Sequence, residues 1–255
     1  MCANKFNLRD KVAVITGGSR GIGRAIALGF AEHGADVVVA SRKLPDLEKV
    51  AQEIRGRGRR SLAIAAHMAK KEDIENLIAQ TVKEFGRIDI LVNNAATNPV
   101  FGPLMDLSEE AWDKVMELGL RGYFLCSKAA AKVMIEGGKG GNIINMATDG
   151  AFRAGPGMGA YCVSKAGVVM LTKVLAVELG QYSIRVNAIA PGLVKTRFST
   201  AIWSSPEMMD MVTRSLPMKR IAEADEIVGA AIFLASGASS YVTGSTISVD
   251  GGSMA

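Results

Sequence analysis

Cysteine and histidine are scarce in this 255-residue chain, and their scarcity sets aside several chemistries. The three cysteines, Cys2, Cys126 and Cys162, form no CxxC and no paired framework, which suits a reducing compartment. The two histidines, His33 and His67, are far apart and lack partners at metal-ligand spacing, so no metal centre is expected. Without a His-linked nucleophile a hydrolytic triad is disfavoured as well. The apolar run at 227–235 is too short to span a bilayer, and the N-terminus lacks a basic-then-apolar signal pattern. Neither membrane insertion nor export is expected, and a cytoplasmic location follows. No Pro-, Ser- or charge-rich linker, repeat or low-complexity tract divides the chain, so residues 1–255 are expected to form one domain.

What is present reads as an ordinary globular protein, with 49% hydrophobic and 22% charged residues. A net charge of +5, from 30 basic and 25 acidic residues, mildly favours anionic ligands. Its densest cluster is Arg55, Arg57, Arg59 and Arg60. One reading is a phosphate or RNA patch. The preferred reading is a solvated helix end stopped by Gly56 or Gly58, because no aromatic residue interleaves with the arginines to stack bases. No nucleic-acid partner is expected.

Seven apolar, β-branched runs alternate with helical stretches: 11–16, 36–40, 61–66, 88–96, 142–147, 184–190 and 246–249. That alternation predicts a doubly wound parallel α/β sheet with helices on both faces, a Rossmann fold. Helices are predicted over 25–33, 73–85, 160–181 and 224–236, with Ser108 capping another whose first turn holds Glu109 and Glu110. The first strand runs into Gly17-Gly18-Ser19-Arg20-Gly21-Ile22-Gly23 and then a helix. Such a turn lets backbone approach a pyrophosphate, and the helix N-terminus supplies unpaired N–H groups. Its spacing, G-x-x-x-G-x-G, differs from the usual dinucleotide fingerprint.

The second strand runs out into Ser41-Arg42-Lys43 with no acid to take ribose hydroxyls. Ser41, Arg42 and Arg20 would form a cationic site suited to a 2′-phosphate, so NADP(H) is favoured over NAD(H). The alternative is that Arg42 and Lys43 simply begin an exposed helix. Downstream, Tyr161 and Lys165 are one helical turn apart, which puts an ammonium near a phenol and predicts a lowered phenol pKa. Tyr161 is thus a candidate general acid.

These pieces together resemble the classical short-chain dehydrogenase/reductase family, over almost the whole chain. The resemblance rests on Thr16 to Gly23, Asn93-Asn94-Ala95-Ala96, Tyr161-x-x-x-Lys165, Arg185-Val186-Asn187 and Pro191-Gly192. Within the family, Ser41-Arg42-Lys43 and the stretches beginning at Asn94 and Ser108 look most like NADP-dependent carbonyl or retinal reductases of the dehydrogenase/reductase member 4 type. The resemblance implies that Tyr161 is the acid/base, and that Lys165 lowers its pKa and binds the nicotinamide ribose. It places Thr148 where the family usually has a catalytic Ser. It implies that Asn94 stabilises the central sheet and cofactor site, that Asn93 and Ala95 line the adenosine side, and that Pro191, Val194 and Thr196 lie near the carboxamide or phosphate. Two departures stand out: His67 where the family often has an adenine-contacting Asp, and Gly119 where it often has a catalytic Asn. Homotetramers are also implied by the family.

The expected reaction is hydride transfer between NADP(H) and a carbonyl or secondary alcohol. The segment 196–218, rich in methionine and aromatics, is expected to be a lid over a hydrophobic ketone, with a subunit interface as the alternative use of the same residues. The loop 155–158 would face it. Two competing functions stay open: a 3-oxoacyl-thioester reductase, and a nucleotide-binding regulatory protein with weak or no catalysis.

Overall fold

Short β-branched runs make the strands of this protein, and their alternation decides which side of the sheet each residue serves. The structure is a computed structural model and describes residues 5–98, 100–155 and 157–255. Its strands are β1 (Val12–Thr16), β2 (Asp36–Ser41), β3 (Ser61–Ala65), β4 (Ile90–Asn93), β5 (Gly141–Met146), β6 (Ile184–Pro191) and β7 (Thr246–Val249). They form one seven-stranded sheet in the order β3-β2-β1-β4-β5-β6-β7, and every neighbouring pair is parallel. The helices are α1 (Gly21–Glu32), α2 (Leu44–Gly56), α3 (Lys71–Phe85), α4 (Glu109–Met116), α5 (Gly122–Gly137), α6 (Gly159–Leu179), α7 (Thr200–Trp203), α8 (Pro206–Ser215) and α9 (Val228–Ala235).

Ala13 and Ile15 of β1, with Val37 and Val39 of β2, face a core closed by α1, α2 and α9. Val14, Val38 and Ala40 face the opposite core, against α3, α5 and α6. Each buried aliphatic side chain contributes about 1.5–3 kcal/mol, and a one-residue slip in register would exchange the two faces, so the sheet is strongly specified. The predicted doubly wound Rossmann arrangement is the observed one.

Two elements differ from the sequence expectation. Between α4 and α5 the chain widens into a π-type turn over Glu117–Arg121, the segment that holds Gly119. The last predicted helix begins as a tight 3₁₀ turn, Ala224–Ile227, before α9. Ser108 caps α4 as expected, its hydroxyl accepting from the Ala111 N–H at 3.3 Å.

The arginine cluster is consumed locally. Arg55 pairs with Glu48, Arg57 with Glu32, Arg59 with Asp36 and Arg60 with Glu84, and Arg60 also lies 4.5 Å from the Phe85 ring centre. Each exposed pair is worth roughly 0–1 kcal/mol, but together they leave no free guanidinium for a phosphate backbone, which favours the solvated-end reading. By length and composition 159–182 is apolar enough to cross a membrane. Here α6 is a sheet-packing helix whose inner face buries Lys165, Val168, Thr172, Leu175 and Ala176.

Candidate active site

Strand order reverses between β1 and β4, and in open α/β sheets the crevice beyond the strand C-termini at such a point is where ligands bind. The glycine turn lies at this point. Gly17 has φ +67°, and a Cβ on Gly23 would stand 2.3 Å from the Gly17 carbonyl, so only glycine lets the turn fold back on α1. The α1 N-terminus has no side-chain cap, which leaves its N–H groups facing the crevice. Asn94 ties the turn to β1: its side-chain amide donates to the carbonyls of Thr16 (2.9 Å) and Gly17 (3.2 Å), and its own N–H donates to Thr16 Oγ1 at 2.9 Å. The Ala95 N–H donates to the same hydroxyl at 3.1 Å. Ser19, Gly21 and Ile22 complete the turn, and a Cβ at Gly21 would touch the Thr196 methyl at 3.3 Å, so Thr196 sits against the turn.

Arg20 and Arg42 are exposed at the edge of the crevice and form no ion pair or side-chain hydrogen bond among the described residues. This sets them apart from the paired arginines of the α2 end. A backbone cradle with unpaired cations on its rim fits a ligand carrying several phosphates. Ser41 closes β2 beside Arg42 and is half-buried. His67 is held by its neighbours: its N–H donates to Asp73 at 2.7 Å, and its ring Nδ1 accepts from the Ala69 N–H at 3.2 Å. That bond leaves the ring hydrogen on Nε2, so His67 offers a donor where a carboxylate would accept.

Across the crevice, Thr148 follows β5 and Tyr161 lies in the first turn of α6. Thr148 Oγ1 is 2.9 Å from Asp149 Oδ1 and 3.3 Å from the Pro191 carbonyl, and it accepts from the Gly150 N–H at 3.4 Å. The Tyr161 ring lies 5.4 Å from that of Phe198, at the start of the 196–218 segment. Among the described residues the Tyr161 hydroxyl has no hydrogen-bond partner, which leaves it open to a reacting oxygen.

Lys165 is 1% exposed, and its amine donates to the Tyr123 hydroxyl (2.9 Å) and the Met146 carbonyl (2.7 Å). Burial lowers its pKa to about 7. The expected effect on the phenol is reversed. Burial pushes the Tyr161 pKa up, aided by Cys162 and the Asp149 charge, while the Lys165 amine is turned toward Tyr123 and stands 5.7 Å from the Tyr161 ring centre. Desolvation wins because the amine is itself buried and engaged elsewhere. The phenol is therefore protonated at neutral pH, the form that donates.

Asn93 does not line the crevice. It is fully buried, donating to Ser127 Oγ (3.0 Å) and Asn145 Oδ1 (2.9 Å), and Asn145 in turn donates to Thr172 (2.9 Å), a polar seam beneath the site. Val194 is buried in a short bridge to Ala222, and its carbonyl takes the Ser199 hydroxyl at 2.5 Å. Arg185 and Asn187 fasten the C-terminal region: the guanidinium donates to the carbonyls of Leu234, Ser236 and Val242, and Asn187 donates to Val242. Pro156, in the loop expected to face the lid, lies outside the described residues, as do Cys2 and Pro99. Sequence reading missed Tyr123, Asp149 and Ser253; only the placement of Asp149 beside Thr148 gave a hint.

The family model described as enoyl-(acyl carrier protein) reductase matches residues 17–254. The chain belongs to the short-chain dehydrogenase/reductase family and is an oxidoreductase acting on CH–OH or C=O groups by hydride transfer. Among curated relatives it is 42% identical to human dehydrogenase/reductase SDR family member 4 over 245 residues, which covers 96% of this chain and 88% of that one. A short-chain dehydrogenase/reductase from Mycobacterium marinum superposes with a TM-score of 0.95 at 37% identity, covering 100% of this chain and 99% of that one. A gluconate 5-dehydrogenase from Burkholderia cenocepacia, solved with NADP and tartrate, gives 0.95 at 34% identity, with 99% and 98% covered.

Proposed function

We propose that this protein is an NADP(H)-dependent carbonyl reductase acting on hydrophobic ketones, with Tyr161 as proton donor. The observation that carries the reading is the Tyr161 phenol, held protonated by burial and without a hydrogen-bond partner among the described residues, on the helix that also buries Lys165. Gly17, Ser19, Arg20, Gly21, Ile22 and Gly23 would hold the pyrophosphate, with Ser41 and Arg42 on the 2′-phosphate and His67 and Ala95 on the adenosine side. Asn94 fixes the cradle, and Pro191, Val194 and Thr196 would form the wall on the carboxamide side. Bound NADPH supplies the hydride. Thr148 and Tyr161 meet the carbonyl oxygen, and Tyr161 delivers its proton as charge develops there. Lys165, whose amine here donates to Tyr123 and the Met146 carbonyl, would turn from them to serve the ribose side of the site.

A hydrophobic substrate is supported by the apolar rim. Phe198 and Met211 are exposed on the 196–218 segment, with the Phe198 ring beside Tyr161, and the exposed Phe101 and Leu104 stand against Gly157 and Gly159 just before that tyrosine. We also place the protein in a homotetramer and in the cytoplasm; the buried free thiols Cys126 and Cys162 suit a reducing compartment.

A screen of NADPH oxidation across ketones, diketones, quinones and acyl thioesters tests the reaction. Reduction of an apolar ketone is expected, and Tyr161→Phe should lower its kcat at least about 100-fold. Selective use of acyl thioesters would favour the 3-oxoacyl-thioester reading. Tight NADPH binding with no turnover would favour a nucleotide-binding regulatory role. For the cofactor, calorimetric titration should show tighter binding of NADPH than NADH, with Arg42→Ala reducing the difference about tenfold. Equal affinities in the unaltered protein would refute the preference.

A further inference from the structure

Asp149 is a carboxylate built into the reactive corner. Its Oδ1 takes the Thr148 hydroxyl (2.9 Å) and the Gly150 N–H (2.8 Å), and its Oδ2 takes the Ser253 hydroxyl (2.8 Å). No Lys or Arg forms an ion pair with it among the described residues. Arg153, the cation tied nearest in this network, is exposed and donates to the Ser253 carbonyl at 3.1 Å instead. A second acid, Asp250, shares the Ser253 hydroxyl at 3.0 Å and also takes the Met254 N–H at 3.1 Å. The corner thus carries two carboxylates against one outward guanidinium. The charge reaches the neighbouring groups, since Asp149 helps raise the pKa values of both Tyr161 and Cys162.

We propose that Asp149 sets substrate charge: its fixed carboxylate beside Thr148 disfavours carbonyl compounds bearing an anionic group next to the reacting carbon and admits neutral ones. The proposal rests on the reading that Thr148 and Tyr161 meet the carbonyl oxygen. An α-keto carboxylate bound there would bring its own negative charge against the half-buried Asp149, a repulsion that solvent screens only in part. A neutral ketone or ester of the same shape meets no such penalty. Asp149 also competes with substrate for the one proton of Thr148, so a ketone oxygen engages that hydroxyl only by drawing it away from the carboxylate.

Matched probes isolate charge from shape. Phenylglyoxylate and its methyl ester present the same ketone, one beside a carboxylate and one beside a neutral ester. Their kcat/KM ratio is measured with NADPH for the unaltered protein, for Asp149→Asn, which keeps an acceptor for Thr148 while removing the charge, and for Ser253→Ala, which keeps the charge and loses the tether. The ester should be preferred by at least about tenfold, with Asp149→Asn cutting that preference at least about fivefold and Ser253→Ala leaving it in place. A ratio that does not respond to Asp149→Asn, or that collapses equally in Ser253→Ala, overturns the proposal.

A second arm needs no turnover. Ultraviolet titration of the phenols without cofactor, with the Tyr161 component identified by its loss in Tyr161→Phe, should show that component moving to lower pH in Asp149→Asn. An unmoved component overturns the proposal whatever the kinetics. A shifted phenol together with failure to reduce any carbonyl compound would instead sink the reductase reading, so the two failures are told apart.

Discussion

Lys165 spends its burial on a partner that lies 42 residues away, and that distance explains why Tyr123 went unnoticed in the sequence. The i,i+4 relation of Tyr161 and Lys165 is local and legible; the hydroxyl that receives the amine comes from α5, and only the packing of α5 on α6 brings it there. The consequence can be titrated. In the folded protein the amine has a pKa of about 7 against an ordinary 10.5, so between those values the unfolded chain holds a proton that the folded one does not. Stability therefore rises with pH from about 7 to 10.5 through this group, and is lowest, as far as Lys165 decides it, below pH 7. Urea denaturation between pH 7 and about 8, below the range where the buried thiols Cys126 and Cys162 act in the opposite sense, should show that rise in the unaltered protein and its loss in Lys165→Met. Tyr123→Phe removes an acceptor from the ammonium, so the Lys165 pKa should fall further, as read by NMR of reductively ¹³C-methylated protein; an unchanged value would mean that Tyr123 does not hold the charge. Asp149 was overlooked for a different reason. A single acid after a strand reads as a helix-capping residue, and its place beside Thr148 gains meaning only once Ser253 arrives from the far end of the chain.

At the level of elements, strands were legible because buried parallel strands are written as continuous β-branched runs, and β1 to β7 fall where those runs lie. Where helices change pitch the sequence is silent. The π-type turn at Glu117–Arg121 has helical composition apart from Gly119, and that glycine lets it pack closely: a Cβ there would sit 3.0 Å from the Ser164 hydroxyl of α6. Restoring a side chain there should destabilise the protein, and Gly119→Asn is expected to lower the Tm, with partial recovery when Ser164→Ala is added. The glycine cradle is less forgiving. In Gly23→Ala the new methyl meets the Gly17 backbone and the Asn94 amide that ties the turn to β1, so a loss of about 1–3 kcal/mol and of NADPH binding together is expected, by thermal unfolding and calorimetry. Retained cofactor affinity in a folded Gly23→Ala protein would contradict the placement of the pyrophosphate.

For the whole molecule, alternating apolar strands and helices pointed to a parallel sheet covered on both faces, and the glycine turn after the first strand pointed to the doubly wound form that is observed. They were not enough to foresee which outward faces stay apolar. On α6, Val163, Met170, Val174 and Val177 form an exposed stripe at helical spacing, and α5 adds Phe124 and Ile135 three turns apart. Such a face fits the proposed self-association, and replacing both Val174 and Val177 with Glu should shift the mass in sedimentation toward smaller species; a monomer before substitution would refute the assembly.

The hydroxyl of Ser253, pinned to Asp149 while Arg153 grips the carbonyl of the same residue, makes the last few residues a structural wall of the reaction chamber. An affinity handle fused after Ala255 would tug on that wall, and comparing the Tm and activity of the fused and unfused proteins is a quick check on how firmly Ser253 is seated.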